Sequence, residues 1–111
     1  MNETLRELLQ KVQSTADFGY VPFDSINDTN VFGDNALHCA CVWGDLEAVK
    51  LLVEHGIEIN QPGEFGFRPL NLALGFGFPE IADYLVAMGA DTSIIGMEGV
   101  FDRETWDVHT Q

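Results

Sequence analysis

Positive charge is scarce in this chain. Its 111 residues hold 5 Lys and Arg against 18 Asp and Glu, a formal net charge of −13. A surface so short of cations repels phosphate backbones and anionic lipid headgroups, so neither nucleic acid nor membrane is an expected partner, and it speeds encounter with a basic protein. Cysteine is rare too. Cys39 and Cys41 stand two apart on a predicted helix, where their side chains diverge and cannot bridge each other. No run approaches the roughly 20 apolar residues of a membrane-spanning helix. The start, MNETLRELLQKV, is polar and periodic rather than a basic stretch followed by an apolar one. Two thiols and no secretion signal set the expectation of a reducing, cytoplasmic location. In that setting the acceptor-like triplets Asn2-Glu3-Thr4 and Asn27-Asp28-Thr29 carry no weight.

Chemistry is thinly supplied as well. Catalysis needs a nucleophile, acid or base brought together with a partner, and the candidates are His38, His55, His109 and the two cysteines. His38, Cys39 and Cys41 lack the ligand spacing of a zinc site. His55 falls at a helix end, where a cation complements the dipole. No Gly-rich phosphate loop occurs; Gly75-Phe76-Gly77 reads as a bend between helices. No enzyme activity, cofactor or metal is expected.

What the chain does have is a repeat. Gly33, Leu37, Ala40, Gly44, Glu47, Leu52 and Gly56 are answered, in the same order and at a constant offset, by Gly66, Leu70, Ala73, Gly77, Glu80, Leu85 and Gly89. The register never slips, although Pro62 is answered by Ile95. A 33-residue period built on G-x-x-x-L-x-x-A-x-x-x-G-x-x-E resembles the ankyrin-repeat family over about two thirds of the chain. The resemblance implies an all-α solenoid of helix-turn-helix repeats, in which each copy buries its apolar face against the next. It also implies a binding scaffold, while leaving open what is bound.

Taken in order, residues 4–15 are expected to form a capping helix, with Thr4 as N-cap, Glu7 completing a capping box, and Leu5, Leu8, Leu9 and Val12 as its apolar stripe. Residues 16–29 are an irregular loop bearing Phe18, Tyr20 and Phe23, expected to pack back on the core. Two full repeats follow, 30–62 and 63–95. Each comprises a projecting turn or finger, a first helix (37–43 and 70–76) and a second helix (47–55 and 80–88). Both depart from the family's T-P-L-H tetrapeptide, with Asn35-Ala36-Leu37-His38 in one copy and Arg68-Pro69-Leu70-Asn71 in the other. Their hydrogen bonding between turns must therefore be modified. A partial third copy, 96–111, keeps Gly99 in register but puts Trp106 where a small residue is required. The array is thus expected to end there in a capping helix.

Resemblance to the family places partner contacts on the fingers and the late positions of the first helices. On this chain those are Val31, Phe32, Asp34, Val42 and Trp43, then Glu64, Phe65, Phe67, Gly75 and Phe76, then Met97, Glu98 and Val100. Five of these thirteen are aromatic, against 11% of the chain. A surface position has no folding reason to be Phe or Trp, and exposed apolar patches mark interfaces. Asp34, Glu64 and Glu98 supply an acidic rim. An aromatic centre inside an acidic rim suits a basic, partly apolar protein partner. The face formed by Phe32, Asp34, Trp43, Glu64, Phe65, Phe67, Phe76 and Glu98 is the expected binding site; cover by the aromatic loop or a homodimer are the alternatives. Similarity to short acidic bacterial ankyrin proteins suggests an immunity protein that blocks a basic toxin domain. An adaptor or regulatory subunit is the alternative, and an acidic mimic of nucleic acid comes last because it has no use for aromatic anchors.

Overall fold

The computed structural model describes residues 3–16, 18–19 and 23–93. Among them are five α-helices and no strand: α1 (Glu3–Gln13), α2 (Ala36–Trp43), α3 (Leu46–Glu54), α4 (Pro69–Gly75) and α5 (Pro79–Ala87). The all-α expectation holds, and the four repeat helices begin and end within a residue or so of the expected positions. The partial repeat 96–111, with Glu98 and Trp106, lies outside the described residues.

Two helical hairpins, α2–α3 and α4–α5, stack so that first helix meets first helix and second meets second; α1 closes the upstream end against α2 and α3. The repeat register explains this core. Leu37 and Leu70, Leu52 and Leu85, and Ala40 and Ala73 are pairs one period apart, and all six are buried. Fully burying one Leu side chain stabilises by about 1.5–3 kcal/mol, so the periodic positions carry much of the stack. Ala40 and Ala73 keep α2 and α4 close, because a longer side chain would hold the first helices apart. Leu51 and Val53 of α3 lie at its margin and are only half-buried.

Helix α1 corrects the expected start. It already begins at Glu3, so Thr4 lies within the first turn and does not cap it. Its other end is closed two residues early, where Ser14 Oγ and Thr15 Oγ1 donate to the carbonyls of Lys11 and Val12 at 2.7 Å each. Hydroxyls that return to the preceding turn satisfy carbonyls the helix leaves orphaned. Leu5, Leu9 and Val12 are buried as the periodicity predicts.

The altered tetrapeptides have definite consequences. In the first repeat Asn35 caps α2 by accepting from the N–H groups of Leu37 (3.0 Å) and His38 (3.3 Å). Its Nδ2 donates to the Glu58 carbonyl at 3.0 Å. One repeat on, Arg68 stands in place of Asn35 and Asp91 in place of Glu58, and the same tie becomes an ion pair, Arg68 to Asp91 Oδ2 at 3.0 Å. At the loops between repeats, Asn27 Oδ1 accepts from Glu58 N–H, and Asn60 Oδ1 accepts from Asp91 N–H, at 2.6 and 2.8 Å. Both span 31 residues. The junction chemistry is thus as periodic as the core.

Candidate protein-binding face

The fingers are short hairpin turns closed in the same register. Asn30 N–H donates to the Asp34 carbonyl at 2.9 Å, and one repeat on Gly63 N–H donates to the Phe67 carbonyl at 2.8 Å. Asn30 Oδ1 accepts from the N–H groups of Phe32 and Asp34 at 2.9 Å each, which shapes the first finger from within. The second finger contains a single 3₁₀ turn, Glu64–Gly66.

His38 links the two. The Asn35 N–H points at Nδ1 from 3.0 Å, so Nδ1 is the acceptor and Nε2 carries the proton; Nε2–H then donates to the Phe67 carbonyl at 2.9 Å. Burial holds the imidazole pKa below its ordinary value, with the Phe67 carbonyl and the nearby Asp34 carboxylate pulling the other way. The neutral ring is therefore the form the fold is built around. Asp34 was expected to be a rim charge. It is half-buried, its Oδ1 accepts from Glu64 N–H at 3.0 Å and lies 3.8 Å from His38 Nε2. Its main work is to hold the second finger against the first. At the position answering His38, Asn71 Oδ1 accepts from Arg68 N–H at 2.8 Å, while its Nδ2 is buried and has no partner among the described residues.

Between fingers and first helices runs a groove of about 330 Å³. Asp34, Trp43, Glu64, Phe65, Phe67 and Phe76, six of the eight expected site residues, line it together. Phe32 lies on the same fingers but outside the groove, and Glu98 is not among the described residues. Phe32, Phe65 and Phe76 are 49%, 84% and 43% exposed, so the described residues of the aromatic loop do not cover these rings. Of the loop's three aromatics, Phe18 is buried, as expected, with its ring 5.5 Å from that of Phe23, and Tyr20 lies outside the described residues. Phe18 and Thr15 also line the groove.

Trp43 differs from a free platform residue. It is half-buried against the core, and Lys11 Nζ sits 4.5 Å from its ring centroid. That cation stacks on one face of the ring; both Trp43 and Phe76 line the groove, and Phe76 is the more exposed of the pair. Sequence reasoning missed part of the floor, where Cys39 and Leu72 lie. They stand one period apart, so the repeat register alone pairs them. Cys41, by contrast, is buried, and burial pushes its thiol up to about 12. No reactive thiolate forms there. Among the described residues no helix is long and apolar enough to cross a membrane.

Comparison with known proteins agrees with the architecture. Residues 1–95 match the family described as ankyrin repeats (3 copies), a match that takes in α1 and the aromatic loop. The chain is 43% identical over 75 residues to mouse protein phosphatase 1 regulatory subunit 27, covering 68% of this chain and 49% of that protein. Its human counterpart is 47% identical over 64 residues, 58% of this chain and 42% of the relative. A putative ankyrin repeat protein of Rickettsia bellii is 38% identical over 77 residues, 64% of each. The chain thus spans about half the length of the phosphatase-subunit relatives it matches. With the periodic register, the stacked hairpins and the match over residues 1–95 in agreement, the chain belongs to the ankyrin-repeat family.

Proposed function

We propose that this protein is a non-catalytic adaptor of the regulatory-subunit type, which docks the catalytic subunit of a type 1 protein phosphatase in the groove between its fingers and first helices. One observation carries the reading: side chains from two successive repeats line a single groove, which combines aromatic rings with the exposed Glu64 carboxylate. Large aromatic anchors supply most interface energy, and rim charges act mainly on encounter. The partner class comes from the relatives, two of which are named as regulatory subunits of protein phosphatase 1. A bacterial immunity protein would use the same face and the same charge. The names of the relatives favour the regulatory subunit over it.

The test is titration of purified protein phosphatase 1 catalytic subunit into wild type and into Phe76→Ala, with circular dichroism confirming the fold. Phe76 is exposed, so its truncation leaves the core intact, and removing an anchor weakens binding by about 2–4 kcal/mol, roughly 30-fold to 1,000-fold. Wild-type protein that shows no binding at micromolar concentrations would remove the phosphatase reading. Equal binding by both proteins would move the interface off the groove.

A further inference from the structure

The second finger turns in a way its sequence does not favour. Phe67 N–H donates to the Glu64 carbonyl at 3.1 Å, and the two residues between them, Phe65 and Gly66, have φ of 59° and 80°. Positive φ at both central residues is the pattern of a type I′ turn, for which Asn-Gly or Asp-Gly is strongly preferred. Here an aromatic residue occupies the first position. Phe65 is the only residue other than glycine with positive φ among those described. A Cβ and a bulky ring make that region unfavourable, whereas Asn tolerates it.

Packing does not explain the choice. Phe65 is 84% exposed, and its ring meets that of Phe67 in a tilted approach, with centroids 6.2 Å apart. The first finger closes in the same register yet keeps Phe32 out of the left-handed region, so the hairpin does not oblige an aromatic to adopt it. The strained backbone carries the ring on the second finger, where Phe65 and Glu64 both line the groove. Strain of this kind persists where function retains it.

We propose that Phe65 is the specificity-determining anchor of the face: its ring inserts into an apolar hollow on the partner whose border is basic, matched by Glu64 and by the chain's net charge of −13. The inference rests on the phosphatase reading for the identity of that partner. It assigns Phe65 a use that no folding requirement supplies, and it makes stability and binding oppose each other at one position.

Two substitutions separate backbone from ring. Phe65→Asn removes the ring and restores the favoured Asn-Gly turn; Phe65→Ala removes the ring and keeps a Cβ that resists positive φ. Both are measured for thermal stability and for affinity toward purified protein phosphatase 1 catalytic subunit. The expected result is a Tm for Phe65→Asn at least about 4 °C above that of Phe65→Ala and no lower than wild type, with binding weakened roughly 30-fold or more in both. Binding within about threefold of wild type in both variants overturns the anchor while leaving the phosphatase reading in place. Equal Tm in the two variants overturns the strain that singles Phe65 out. Failure of wild type to bind removes the phosphatase reading and, with it, the anchor as defined against that partner.

Discussion

Gly63 is the position where the structure makes its sharpest demand. Its φ is −110°, outside the left-handed region that favours glycine, so a positive φ does not account for the glycine. A Cβ there, as in Gly63→Ala, would collide with Asp34 Oδ1 and lie 2.7 Å from His38 Nε2. Neither atom can yield freely. Asp34 Oδ1 holds the Glu64 N–H at 3.0 Å, and His38 Nε2 holds the Phe67 carbonyl at 2.9 Å. The second finger must therefore lift, breaking both bonds and leaving a buried imidazole N–H without its acceptor. One ordinary hydrogen bond contributes about 0.5–1.5 kcal/mol and one stranded buried donor costs about 1–3 kcal/mol, for a combined loss of roughly 1.5–4.5 kcal/mol. At about 4 °C per kcal/mol the melting temperature falls by about 6–18 °C. Gly56→Ala is the matched control. Gly56 has φ of 85° and nothing within 4 Å of a built Cβ, so it isolates the left-handed backbone penalty, about 1–2 kcal/mol. Urea unfolding followed by circular dichroism reads both variants. A loss for Gly63→Ala below about 0.5 kcal/mol would refute the close approach of the fingers on which the groove depends.

Two further outcomes are expected of the same scaffold. Leu52 is fully buried at the contact between repeats, so Leu52→Ala should lose about 2–5 kcal/mol; a loss under about 0.5 kcal/mol would contradict the register. The neutral His38 gives a pH dependence of definite sign. Because burial lowers its folded pKa below 6.5, the unfolded chain takes up the proton first, and stability present above pH 6.5 is lost as pH falls from there through the folded value. His38→Gln should flatten that part of the profile in urea midpoints measured between pH 8 and 5, and parallel profiles for the two proteins would show that the ring does not titrate on unfolding.

Several features were open to reading before any coordinates. Leu37, Leu52, Leu70 and Leu85 are core because helices that recur at a fixed period must bury the same face each time. Pro69 and Pro79 stand in the first turns of α4 and α5, where a missing N–H costs nothing. Thr4 misled: the spacing of a capping box is present, but a helix that can begin one residue earlier leaves that threonine inside it. The candidate face was legible as a set of positions and not as a set of roles. Asp34 and Glu64 look alike in sequence, yet one holds the fingers together and the other is exposed. Trp43 and Phe76 answer each other across one repeat, but Lys11 of α1 sits over the tryptophan ring.

The sequence by itself determined the all-helical repeat architecture, the register of its core and the family, because periodic burial writes itself into the chain at short range. Only the tertiary structure decided how the fingers close. The bond from His38 to Phe67 spans 29 residues, that from Glu64 to Asp34 spans 30, and the left-handed turn at Phe65 runs against local preference. Contacts of that separation depend on how one repeat settles on the next, and no periodicity within either repeat encodes them.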